Sequence, residues 1–183
     1  MDLQTYKQNF PEGASVPQEI QDLLNFQNGA RDWYSGHFEL TEWPFGQAHW
    51  FAGDRLAAEQ FIVLGMESDG SLYALWMYPG RTTNDAPVVF LGSEGVDSSL
   101  IAKDLVEFLS LLAVGAEDLG FAVSWREVKE AENPAARLSE FRGWLKGQFG
   151  SGAPENPTER IDAARREHPD FAAWFAEWQA RRA

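Results

Sequence analysis

Four acidic residues sit where the chain is expected to turn. Glu67 precedes an Asp-Gly pair that Asp69 opens, and Glu94 lies within a Gly-Ser-Glu-Gly run that Asp97 follows. Two carboxylates at a suitable separation can share acid and base work, as in glycoside hydrolysis. The same four can instead form a charged rim that steers a basic partner. Their spacing carries no hydrolase signature, and a chain with 28 acidic residues offers many pairs by chance. A small acid/base hydrolase is therefore the minor reading.

Other chemistries find less support. His37, His49 and His168 form no His-x-x-x-His pair, so a helical zinc motif is absent. His168 lies in a helix-breaking His-Pro-Asp turn, a structural setting. His37 and His49 flank aromatic residues, where a half-exposed polar role outweighs a ligand role. No Gly-x-Ser-x-Gly elbow, phosphate loop or dinucleotide fingerprint occurs. Aligning Gly70 with the glycine of a calcium loop puts Gly65 and Trp76 at ligand positions, which excludes an EF-hand. With 0 cysteines, thiolate sites and disulfides are excluded. No catalytic residue, cofactor or metal is expected.

Eight tryptophans need a place. Trp174 and Trp178 share a helical stripe with Phe171 and Phe175, and Trp76 ends a strand pattern. Core packing is the first expectation for all of these. Trp33, Trp43 and Trp50 lie in irregular sequence. Core packing outweighs an interface role for these three as well; Trp33 and Trp43 are the candidate interface anchors, because one indole buries a large rigid area.

The elements that must position these residues follow from periodicity and turn chemistry. Residues 16–29 read as a helix entered at Pro17 and closed by Asn28-Gly29, with Gly29 left-handed. Residues 37–41 suit a strand. Phe61 to Met66 is nearly all apolar, which suits a strand buried on both faces. Asp69-Gly70 suggests a two-residue turn into a partner strand over 72–78. Residues 88–91 form a third strand. Residues 98–112 read as a helix capped by Ser98 or Ser99 and stopped near Gly115. Asn133-Pro134 opens a helix with Leu138, Phe141, Leu145 and Phe149 on one stripe. Asn156-Pro157-Thr158-Glu159 opens the next.

Of 183 residues, 44% are hydrophobic, enough for a core. No apolar run approaches the roughly 20 residues that span a bilayer, and the N-terminus lacks a signal-peptide layout. Cytoplasmic residence is expected. The net charge of −13 is uneven: residues 1–133 carry 21 acidic and 7 basic side chains, residues 134–183 carry 7 and 8. The first segment would repel nucleic acid and anionic membranes and attract a basic protein. Solubility alone is the bland alternative.

The assembled pattern resembles the SUKH superfamily of yeast cell-wall-assembly-regulator-like and bacterial immunity proteins. The residues that carry the likeness are Val16-Pro17-Gln-Glu-Ile20 to Asn28-Gly29, Phe61-Ile-Val-Leu-Gly-Met-Glu-Ser-Asp-Gly-Ser-Leu-Tyr-Ala-Leu-Trp76, Pro87-Val-Val-Phe-Leu-Gly-Ser-Glu-Gly95, and residues 98–112 with Leu105, Phe108 and Leu109. It spans residues 10–115. The resemblance implies an α+β fold, a mixed twisted sheet with helices packed on one side, over residues 1–133. Residues 134–183 match no pattern of the family and are expected to form a helical C-terminal extension docked on it. The resemblance also implies a non-enzymatic protein-binding module: an immunity protein occluding a cognate toxin, with a nuclease as one possibility, or a regulatory scaffold without a toxin. Charge and resemblance agree on a basic toxin domain as partner, with no direct nucleic-acid or membrane binding. The residues assigned to its surface are Glu67, Asp69, Glu94 and Asp97, with Trp33 and Trp43 as anchors.

Overall fold

Strands that are apolar at every position must be covered on both faces. The computed structural model describes residues 1–43, 50–95, 97–125, 127–168 and 170–181, and it shows how that cover is supplied. Five strands pair in chain order: β1 (Glu39–Leu40), β2 (Phe61–Met66), β3 (Leu72–Trp76), β4 (Val88–Leu91) and β5 (Ser98–Ala102). All four pairings are antiparallel. The α+β class stands, but the sheet is antiparallel where a mixed one was expected. No helix intervenes between β2 and β5 to carry a parallel crossover.

Side chains alternate across the sheet and divide the interior into two layers. Ile62, Leu64, Tyr73, Leu75, Val88, Phe90 and Ile101 face one core. Phe61, Val63, Leu72, Ala74, Trp76, Val89, Leu91 and Leu100 face the other. Helices therefore cover both faces, not one. The first face receives Ile20, Leu23 and Leu24 of α2 (Gln18–Asn28), which follows a short α1 (Leu3–Tyr6). It also receives α4 (Leu105–Leu112), Leu119 and Ala122 of α5 (Leu119–Trp125), and Phe141 and Leu145 of α6 (Leu138–Phe149). The second face receives Ala57 and Ala58 of α3 (Arg55–Ala58). Ala164 of α7 (Pro157–Glu167) and Phe171, Phe175 and Trp178 of α8 (Asp170–Ala180) complete it. Residues 134–183 thus build both layers.

Several local expectations change, and the helix expected to open at Asn133-Pro134 begins at Leu138. Residues 98–112 are not one helix: residues 98–102 pair with β4, and α4 starts after Asp104, whose carboxylate accepts the Glu107 N–H at 2.8 Å. That makes Asp104 the cap in place of Ser98 or Ser99. The β2–β3 turn has three residues between Glu67 and Ser71, not two. Gly70 takes φ +87° and donates to the Glu67 carbonyl, and the Glu67 N–H donates to the Ser71 carbonyl. Gly29 ends α2 in a right-handed conformation, φ −66°. The expected start of α7 is observed: Pro157 opens the helix and Asn156 accepts the Glu159 N–H.

Both sheet edges are closed. Arg165 of α7 donates to the Leu100 carbonyl at 3.2 Å, beside β5. At the other edge the Gln27 amide accepts the Leu40 N–H at 2.7 Å and donates to the Leu40 carbonyl at 3.0 Å. These contacts block the addition of a foreign strand.

Trp178 tests whether the last helix is structural. Its ring is buried, 1% exposed, and its indole N–H reaches Asp54 at 3.2 Å. Trp178→Ala is expected to lower stability by about 3–5 kcal/mol, read as a shifted urea midpoint with an unchanged slope. A loss under about 1 kcal/mol would make α8 peripheral.

Candidate functional site

The β2–β3 and β4–β5 connections meet at one end of the sheet, as their acidic residues led us to expect. Ser71 Oγ joins them: it donates to Asp69 at 2.8 Å and accepts the Ser93 N–H at 3.1 Å. Asp69 also accepts the Ser71 N–H at 2.9 Å, so both its oxygens serve the turn. Glu94 is exposed at the next loop, and Asp97 is half-buried with its carbonyl bonded to the Gly92 N–H. None of Glu67, Asp69, Glu94 and Asp97 lines either of two clefts described below.

Glu67 is not a rim residue. It is 2% exposed and lies under the turn. The Tyr73 hydroxyl donates to its Oε1, and the Gly120 N–H donates to that hydroxyl at 2.9 Å. Its Oε2 is buried with no hydrogen-bond partner. Burial pushes the Glu67 carboxyl up to about 7, against the Tyr73 hydrogen bond, and Asp118 and Asp69 add repulsion. Gly120 is fixed by packing: a Cβ there would meet the Phe90 ring at 2.0 Å, so α5 lies flat on β4 only with glycine at this point.

Beside the start of α5 opens a cleft of about 700 Å³. Among the described residues its lining carries Glu117, Asp118, Glu127, Glu130, Glu132 and Lys129. Glu130 is paired with Arg142 at 2.6 Å, and Arg142 also donates to the Ala113 and Val114 carbonyls. That arginine ties α6 to the end of α4 and to the cleft wall. Asp118 meets the His37 ring at 3.2 Å, and His37 stands edge-on to Trp33 at 6.0 Å between ring centroids. Trp33 is 38% exposed, so the aromatic anchor expected from its position stands next to the acidic wall. Gly36 makes this junction possible; its φ is +47°, and a Cβ would meet the Ala116 and Glu117 carbonyls at 2.4 and 2.3 Å.

Trp43 is placed differently from the expectation. It is half-buried and packs against the second core. His168 is buried and bonded to the Tyr78 hydroxyl at 2.9 Å, and burial lowers its pKa, in keeping with a structural role. His49 lies outside the described residues. Among the described residues no group of three or more His, Cys, Asp or Glu could hold a metal ion, and no helix is long and apolar enough to cross a membrane. A second cleft, about 530 Å³, mixes Lys103 and Arg160 with Asp104, Glu107 and Glu155 and has no net preference. The cleft by α5 escaped the reading of single motifs, although the acid density over residues 117–132 was a usable signal.

Comparisons with known proteins find no matching family model, no matching curated protein and no matching solved structure.

Glu67 sets one pH-dependent term. Its folded pKa lies above its ordinary 4.5, so the folded state holds the proton longer than the unfolded chain. The resulting stability is complete below about pH 4.5 and is lost as pH rises through about 7. Glu67→Gln keeps the Tyr73 hydrogen bond without the charge. At pH 8 it should be more stable than the parent chain by up to about 3 kcal/mol, with the gap closing toward pH 4. Urea unfolding at both pH values reads the difference; a gap independent of pH would contradict the assignment.

Proposed function

We propose that this chain is a non-enzymatic protein-binding module of the immunity type, which occludes a basic toxin domain. The observation that carries the reading is the cleft by α5, whose described lining holds five carboxylates and one lysine, with the half-exposed Trp33 beside it. Concentrated negative charge in a concave, partly apolar wall raises the encounter rate of a cationic surface. A rigid indole at the border supplies the short-range contact that slows dissociation. A nuclease is one fitting target, since its substrate groove is built to attract phosphates and an acidic cover can fill it.

The likeness to the SUKH superfamily supports the same direction through the order of elements over residues 10–115. The antiparallel sheet and the second helical layer depart from the architecture which that likeness implies. The cleft therefore carries more of the proposal than the likeness does. It also moves the partner surface from Glu67 and Asp69 toward Glu117, Asp118, Glu127 and Glu132. Glu94 stays available as an exposed charge on the neighbouring loop.

The test starts with a basic protein captured on the tagged chain from the source cell and released by salt. With that partner purified, the double reversal Glu117→Lys with Glu132→Lys should slow association at low salt by about tenfold or more and flatten its salt dependence. Trp33→Ala should mainly speed dissociation. The pair Glu94→Lys and Asp97→Lys should have the smaller effect. Equal rates for the parent and the Glu117/Glu132 variant would remove the cleft from the interface. Capture of signalling or wall proteins that salt does not release would favour the regulatory scaffold.

A further inference from the structure

The buried Glu67 carboxyl touches the start of the helix that forms the cleft wall. Tyr73 Oη accepts the Gly120 N–H at 2.9 Å, so its own hydrogen is directed at Glu67 Oε1. Two residues before Gly120 is Asp118, which lines the cleft. The chain Glu67–Tyr73–Gly120 thus ties the β2–β3 turn to the first turn of α5. One end of it is a titratable group with an unpartnered, fully buried oxygen.

We propose that this chain is a proton-operated pin: protonated Glu67 holds the start of α5 and Asp118 against the sheet, and ionised Glu67 loosens them, so the cleft binds more weakly as pH rises.

The physical reason lies in what surrounds the carboxyl. A protonated Oε2 leaves one neutral hydroxyl unsatisfied, whereas ionisation puts a full charge at a buried carboxyl; the Tyr73 hydrogen bond to Oε1 favours the charged form, but the burial penalty outweighs it. The charged groups facing it are acidic on each side: Asp69 from the turn and Asp118 from α5. From β3 the facing group is the Tyr73 phenol, whose ionisation burial raises well out of range. His37, from the segment before β1, reaches the cluster only across Asp118, at 3.2 Å. A charged His37 would relieve part of the repulsion from Asp118, so the histidine must be separated from Glu67 in any test. Relief for an ionised Glu67 can come from local opening that admits water. The helix that bonds to its Tyr73 partner is α5, of seven residues. Opening there would displace Asp118 and with it one wall of the cleft.

The proposal rests on the cleft reading only for its last step, and the two are tested separately. In the full chain, nuclear magnetic resonance would follow the Glu67 side-chain carboxyl carbon and the Gly120 and Asp118 amides from about pH 4 to about pH 9. The Glu67 carboxyl and the Gly120 amide should titrate together with a midpoint of about 7. Gly120's titration should vanish in Glu67→Gln, shrink in Tyr73→Phe, and persist in His37→Asn. Titration of the Glu67 carboxyl in the ordinary carboxylate range would overturn the pin. So would a Gly120 titration that survives Glu67→Gln but disappears in His37→Asn. The link to the cleft is read with a decalysine peptide as probe. Its affinity for the parent chain should fall between pH 6 and pH 8 by about fivefold more than for Glu67→Gln. Equal falls in the two proteins, with the carboxyl titration in place, would leave a buried acid that does not govern the cleft and would overturn the regulatory claim.

Discussion

The interaction on which the rest depends is the burial of both faces of one antiparallel sheet. β2, β3 and β4 are buried at all positions but Met66. Each face offers apolar area worth about 25 cal/mol per Å² removed from water. An antiparallel sheet commonly leaves one face to solvent. This one cannot, because Phe61, Leu72, Trp76 and Leu91 point away from the first core. The helices after residue 156 supply the cover with Phe171, Phe175 and Trp178, whose rings pack against Trp50, Phe51 and Trp76. The C-terminal segment is therefore a requirement of the sheet.

The same constraint shapes the end where the site lies. α5 must lie flat on Phe90, which Gly120 permits. That close approach brings the Gly120 N–H onto the Tyr73 hydroxyl and closes the space over Glu67. Covering the first core thus creates a buried acid at the junction of turn and helix. The chain after α5 must then return to α6; Val128 seats it in the first core, and Arg142 bonds Glu130 and the end of α4. The gap left between is the acidic cleft. Packing fixes its walls, and the surplus of carboxylates gives it its sign.

Much of the fold was legible in the sequence because its signals are local. The apolar runs gave β2 to β4, Asp69-Gly70 marked a turn, and Asn156-Pro157 marked a helix start. The strand over 98–102 was not legible, since Ser98-Ser-Leu-Ile-Ala102 fits a helix stripe as well as a strand. Pairing with β4 decides it, and that is a tertiary fact. The second helical layer was missed for a related reason: Phe171, Trp174, Phe175 and Trp178 announce an apolar stripe but not which surface it covers. At the site, Trp33 is exposed, as a candidate anchor must be. Glu67 was misplaced because an acid beside an Asp-Gly turn reads as exposed, while its burial is imposed by Tyr73 and α5 from residues distant in the chain.

Charge and shape meet in one place, between residues 116 and 133, with Trp33 and His37 at the border. The account's central claim is that a basic protein partner seats there. Hydrogen exchange on the full chain, with and without the salt-released partner, tests it most directly. The account predicts slowed exchange over residues 30–37 and 116–133, with residues 92–95 less affected. Protection confined to residues 67–71 and 92–95, with the α5 cleft exchanging as in the free chain, would contradict it.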